Sequence, residues 1–297
     1  MSIQGVCPVI SSSFHADGSL DLPSFERMGE YLLNCKSIMI FGIATENAKL
    51  FDYEREEMLS ALARVCAGTT TRIVATVADH GTDVAISRAQ KWVSLGADEI
   101  NVLPSSFLNP PLEFRIDHIE RIIQSVDVPV IVQHLPQAGE SLDPKSLTEI
   151  GLRNDNFGQV KVEEIPSRPV IELITQYSDK KITCLVGWGG LEWLTAIADG
   201  AVGVQPGCSL IEIYLHAQAA LDDGDYELFR NRFEPIVPAL ELWMRHPEAL
   251  IAIEKYILQK RGIVASQTCR TPSFRLSDAD YIWADSIMDT YSLGASR

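Results

Sequence analysis

Residues 129–162 read PVIVQHLPQAGESLDPKSLTEIGLRNDNFGQVKV. Two apolar, β-branched runs, Pro129–His134 and Phe157–Val162, flank a stretch about as long as one helix with its turns. Runs this apolar are strands covered on both faces, the habit of parallel sheets. Working outward, similar runs stand at Gly5–Ser11, Ser37–Phe41, Arg72–Val77, Asp98–Leu103, Ile182–Gly187 and Ala201–Gln205, making eight in all. Between strands the apolar residues recur at helical spacing, as at Leu59, Leu62, Ala63 and Cys66, or Ile119, Ile122 and Ile123. Asp17-Gly18, Gly96-Ala97, Asn109-Pro110-Pro111 and Asp199-Gly200 punctuate the turns. Strict β/α alternation predicts a parallel sheet, and eight units predict an α/β TIM barrel, (β/α)8, over an open sheet with a helical domain. From about Ile211 the chain reads as helix after helix. The expected organisation is a barrel over residues 1–223 and a C-terminal helical extension over 224–297, packed on it and beginning near Asp223-Gly224.

The bulk properties exclude several classes of function. A net charge of −15 over 297 residues, with no basic stripe, argues against a nucleic-acid partner, which needs a positive footprint. No apolar run spans a bilayer, and the N-terminus lacks a basic region and a small-residue cleavage site, so no membrane or export role is expected. The six cysteines (Cys7, Cys35, Cys66, Cys184, Cys208 and Cys269) stand singly, which argues against a metal site or disulfides and fits a reducing cytoplasm. An anionic substrate would need local help to bind to so acidic a protein.

In a barrel, chemistry collects at the C-terminal ends of the strands. Lys161 is the strongest anomaly there, a charged residue closing the apolar run of the sixth strand. Burial disfavours the ammonium form, so a lysine sheltered at a barrel mouth is a competent Schiff-base nucleophile. A lysine snorkelling into water would explain the same residue without chemistry. Glu163, two residues on, shares the face of Lys161 if the strand continues, and can then move protons beside an imine; otherwise it is a surface ion-pair partner. Gln133 ends the fifth strand on the inner face, whereas His134 points outward as a satisfied structural histidine. The turn Gly42-Ile43-Ala44-Thr45-Glu46 can offer backbone amides and the Thr45 hydroxyl to a carboxylate. Gly187-Trp188-Gly189-Gly190 and Gly203-Val204-Gln205-Pro206-Gly207 either let backbone approach a ligand or serve tight closure. Cys208 reads as a small buried hydrophobe.

Taken in order, these strand ends resemble the dihydrodipicolinate synthase/N-acetylneuraminate lyase family of class I aldolases and dehydratases. The resemblance is carried by Gly5-Val-Cys-Pro-Val-Ile10, Ser12-Ser-Phe14, Gly42-Ile-Ala-Thr-Glu46, Pro129–Pro136 and Gly158-Gln-Val-Lys161. It implies that Lys161 forms an imine with a 2-keto acid, needing no cofactor. It also implies a homo-oligomer, tetramer or dimer. The departures are informative. Ile43, Ala44 and Thr45 replace the family's Thr-Thr-Gly, Gln133 replaces its proton-relaying tyrosine, and Pro104-Ser105-Ser106 replaces its Pro-Tyr-Tyr. No arginine follows Pro136. The Val132-Gln133 pair, the Lys161-Val-Glu163 pattern, Arg261–Ser266 and Arg270-Thr-Pro272 look like the 2-keto-3-deoxy-L-arabinonate dehydratase subgroup. That likeness implies Glu163 for proton transfer, Thr45 and nearby backbone amides such as that of Ala44 for the substrate carboxylate, and Gln133 and Gln205 lining the sugar-acid end; Gln133 is counted with Lys161 and Glu163 as catalytic, and Gly187 as substrate-binding. Three activities are expected to compete: dehydration of a 2-keto-3-deoxy sugar acid, pyruvate-releasing aldol cleavage or synthase chemistry, and keto-acid binding without turnover.

Overall fold

The computed structural model describes residues 3–104, 109–136 and 141–294. Eight strands form one sheet in the order β1-β8-β7-β6-β5-β4-β3-β2. They are β1 Gly5–Val6, β2 Ser37–Ile40, β3 Arg72–Val77, β4 Glu99–Val102, β5 Val130–His134, β6 Phe157–Val162, β7 Thr183–Val186 and β8 Ala201–Val204. Helices α1 Leu22–Tyr31, α2 Asp52–Cys66, α3 Thr82–Ser94, α4 Leu112–Gln124, α5 Pro144–Arg153, α6 Arg168–Tyr177, α7 Trp193–Ala198 and α8 Ile211–Asp222 each follow the strand of the same number. This is a TIM-barrel-like (β/α)8 fold. β1 is short, but backbone pairing runs on past it: the Cys7 amide donates to the Val204 carbonyl at 2.9 Å, the Val9 amide to the Pro206 carbonyl at 2.8 Å, and Pro8, which has no N–H, accepts from the Met39 amide at 2.8 Å. Val9 bridges parallel to both Met39 and Gly207.

The chain forms two compact units, residues 1–7 with 72–205 and residues 8–71 with 206–297. In the first, the β-branched runs are covered on both faces. Ile100, Val102, Val130, Ile131, Val132, Val160 and Val162 are all fully buried, as are Ile119, Ile122 and Ile123 on α4. Local signals fix the helix starts: Asp143 accepts from the backbone amides of Lys145 and Ser146, and Pro144 opens α5. The second unit holds α1, α2 and α8, then α9 Tyr226–Phe233, α10 Val237–Trp243, α11 Pro247–Lys260 and α12 Asp278–Thr290. A turn with Gly224 at φ +72° separates α8 from α9, where the extension was expected to begin. Among the described residues no strand follows β8, as expected, and between α11 and α12 residues 261–277 contain neither helix nor strand. Polar side chains hold that segment instead, with Arg270 donating to Glu54 and to the carbonyls of Gly18 and Lys49.

Among the described residues no helix is long and apolar enough to cross a membrane. Nor does any group of three or more histidine, cysteine or acidic side chains there come together as a metal site.

Candidate active site

In β6 side chains alternate faces, so Val162 packs into the apolar layer while Lys161 shares the opposite face with Gln159. Strand pairing persists one residue past β6, because the Glu163 amide donates to the His134 carbonyl at 2.9 Å. Glu163 therefore stays on the face of Lys161. Both are buried, at 5% and 9% exposure, and Lys161 Nζ stands 3.2 Å from Glu163 Oε1. Neither snorkelling lysine nor surface ion pair describes them.

Register brings the next groups alongside. Gln133 is the β5 partner of Lys161, and Thr76 on β3 pairs with Asn101 on β4. Gln133 Nε2 donates to Glu163 Oε2. Asn101 Nδ2 donates to Gln133 Oε1 at 3.1 Å and to Thr76 Oγ1 at 3.2 Å. A buried chain of polar groups thus runs Thr76, Asn101, Gln133, Glu163, Lys161. Further down β4, burial outweighs the Arg72 guanidinium and pushes the Glu99 carboxyl up to about 7. His134 faces away and is satisfied, with Nδ1 3.1 Å from the Leu142 carbonyl and Nε2 2.8 Å from Glu164 Oε2.

The glycines of β7 and β8 divide between two purposes. A Cβ on Gly203 would lie 2.4 Å from the Gly5 carbonyl oxygen, so that glycine serves close strand packing. A Cβ on Gly187 would lie 2.3 Å from Glu163 Cγ, so this glycine makes room for the carboxylate. Trp188, at φ +51°, donates its indole N–H to the Glu163 carbonyl. Gln205 is buried, with Nε2 3.7 Å from Cys7 Sγ and Oε1 without a hydrogen-bond partner.

The second unit holds Ala44 and Thr45. Both are buried, and the Thr45 hydroxyl donates to the Ile10 carbonyl at 2.7 Å. Its single proton is thus committed to the backbone, which corrects the expectation that this hydroxyl is offered to a carboxylate. Ala44 accepts from Ser11 Oγ at 3.5 Å through its carbonyl. Glu46 precedes a short 3-10 turn, Asn47–Lys49, takes φ +55° and is buried against Lys255 and Lys49, with Lys49 Nζ at 3.0 Å. Burial alone would raise this carboxyl, but the two ammonium groups hold it below the usual carboxylate range. Cys208 is fully buried and its thiol lies well above the ordinary value, as a small core residue should. Ser105, Ser106 and the residues directly after Pro136 lie outside the described residues.

Sequence reasoning missed Asn101, Thr76 and the Glu46–Lys255 pair. Asn101 left a readable trace, a polar residue on the inward alternation of an apolar strand. Glu46 and Lys255 are too far apart in the chain for any local pattern.

The model of the family described as "Dihydrodipicolinate synthetase family" matches residues 2–288. The Escherichia coli (strain K12) protein named "Probable 2-dehydro-3-deoxy-D-pentonate aldolase YjhH" is 25% identical over 293 residues, covering 92% of each chain. The L-2-keto-3-deoxyarabonate dehydratase of Azospirillum brasilense is 24% identical over 280 residues, covering 91% of this chain and 88% of its own. Among solved structures, the dihydrodipicolinate synthase of Aquifex aeolicus superposes with a TM-score of 0.89 at 18% identity, covering 99% of this chain and 100% of that one.

Proposed function

Because the chain belongs to the dihydrodipicolinate synthetase family, whose members are lyases and aldolases, we propose that it is a Schiff-base hydro-lyase acting on a 2-keto-3-deoxy sugar acid. The observation that carries this reading is the buried Lys161–Glu163 pair, an amine and a carboxylate 3.2 Å apart. Lys161 attacks the C2 carbonyl, and loss of water gives an iminium. Glu163 takes a proton from C3, leaving an enamine. The C4 hydroxyl then departs with a proton as water, and the resulting unsaturated iminium is hydrolysed to free Lys161. The imine is the electron sink, so the reading asks for no cofactor.

Two features favour dehydration over carbon–carbon cleavage. Gln133, an amide that cannot relay protons, occupies the place of the family's tyrosine and donates to Glu163 instead. Gln205 Oε1, buried without a partner, suits a substrate hydroxyl. Aldol cleavage is the second reading, favoured by the name of the E. coli relative. The resemblance adds a homo-oligomer, tetramer or dimer, and the singly placed cysteines suit a reducing cytoplasm.

Incubation with 2-keto-3-deoxypentonates decides between them, since dehydration releases no pyruvate and cleavage releases pyruvate with an aldehyde. Borohydride reduction in the presence of substrate should fix its mass on Lys161, and Lys161→Arg should abolish both adduct and turnover. A wild-type protein that forms no adduct with any 2-keto acid sinks the whole reading.

A further inference from the structure

The Glu163 carboxylate can only accept hydrogen bonds, so the Gln133 amide must turn its Nε2 towards it. Gln133 Oε1 then points at Asn101 and needs a donor, which Asn101 Nδ2 supplies at 3.1 Å. A reversed Asn101 would set its Oδ1 against Gln133 Oε1, two acceptors facing each other. Thr76 Oγ1 accepts from the same Nδ2 at 3.2 Å, but a hydroxyl would serve either orientation of Asn101, so the sense is set by Gln133 Oε1. Asn101 is 1% exposed, so water cannot relieve the wrong arrangement. The observed arrangement leaves Asn101 Oδ1 buried without a partner, so its own hydrogen bonding does not explain the orientation.

We propose that Asn101 is a positioning residue for Glu163, which through Gln133 holds the carboxylate at C3 of the imine-bound substrate and so governs C3 proton transfer but not imine formation. This rests on the imine chemistry proposed above. On the pyruvate iminium, Glu163 takes a C3 proton, the C–H pair becomes the C2=C3 bond, and the C=N π pair returns to nitrogen. The enamine is reprotonated from the same carboxylate after its proton exchanges with solvent. Asn101→Asp is nearly isosteric but presents an acceptor to Gln133 Oε1. It favours the flipped Gln133 amide, which sets Oε1 against Glu163.

The test uses the full chain with pyruvate in D2O. Borohydride trapping with intact mass measures adduct, and proton NMR measures deuterium entering the pyruvate methyl group. Adduct should form to about the wild-type extent in Asn101→Asp, Gln133→Met and the double variant. Exchange per adduct should fall at least about tenfold in both single variants, within the roughly 10²-fold cost of an ångström-scale misplacement. The double variant should exchange no more slowly than Gln133→Met, since Asn101 acts only through Gln133. Exchange per adduct at the wild-type rate in Asn101→Asp, or losses that multiply in the double variant, overturns the proposal while the imine reading stands. A wild type without adduct overturns both. If Asn101→Asp does not fold, Asn101→Leu decides, because it removes the donor to Gln133 Oε1 with a side chain of similar size. It should slow exchange per adduct, and an unchanged rate refutes the relay.

Discussion

A methyl group added at Gly187 would stand 2.3 Å from Glu163 Cγ and 2.4 Å from its Oε1, where ordinary contact begins at 3.4 Å. In Gly187→Ala the Glu163 side chain must therefore withdraw by about 1 Å, the difference between those contacts. The atoms met belong to a side chain, so rotation of Glu163 relieves most of the clash and the backbone keeps its path. The stability cost should then lie at the low end of the roughly 1–3 kcal/mol of overpacking. Catalysis has no such relief. A displacement of about 1 Å costs about 10²-fold, equivalent to roughly 2.7 kcal/mol of transition-state stabilisation, and the 3.2 Å contact with Lys161 lengthens as well. The assay is kcat and KM on a 2-keto-3-deoxypentonate, with borohydride trapping and a thermal melt on the same preparation. We expect kcat to fall about 10²-fold with KM, adduct and melting temperature little changed. A Gly187→Ala protein with wild-type kcat would show that Glu163 is not held by that wall. Parallel loss of folding and activity would show that the glycine serves the backbone.

Glu163→Gln should still form the borohydride-trapped adduct while turnover falls by about 10²–10⁴-fold, the usual worth of a proton-transfer group. Lys255→Met removes the main counter-charge of buried Glu46 and should cost about 3 kcal/mol in urea unfolding at pH 7; Glu46→Gln in the same chain should recover much of it. Because the folded Glu46 carboxyl lies below the ordinary 4.5, its contribution is present above that pH and is lost as pH falls through the lower folded value. Wild-type stability should drop more steeply in acid than that of the double variant. Glu99 has the opposite sign. Folded, it keeps its proton to about pH 7, whereas the unfolded chain releases it near 4.5, so stability declines as pH rises between those values. Glu99→Gln should flatten that slope and gain on the order of 3 kcal/mol at pH 8, measured by denaturant midpoint.

What could be read from the sequence follows what the chain encodes locally. The runs Arg72–Val77 and Phe157–Val162 are strands with those same bounds, because β-branched alternation ends there in both sequence and ladder. Lys161 and Glu163 were legible as one face because a two-residue step is a backbone property, provided pairing continued to Glu163. The direction of the Gln133 amide was not legible, since it depends on Glu163 and Asn101 from the segments either side, and register is not written in any one strand alone. Thr45 misled for a similar reason: a hydroxyl in a turn looks available until a carbonyl from another segment, here Ile10, claims its proton. The segment after α11 left no periodic signal, because Arg270 fastens it with side-chain contacts to Glu54 and the Gly18 carbonyl.

Arg270 reaches Glu54 across 216 residues of chain, and Lys255 meets Glu46 from almost as far. During synthesis the acidic partners leave the ribosome first and wait for their cations. At roughly 5–20 residues per second that wait is about 10–40 s, long compared with the formation of α1 and α2. The earliest-made part of the molecule is thus among the last to be finished.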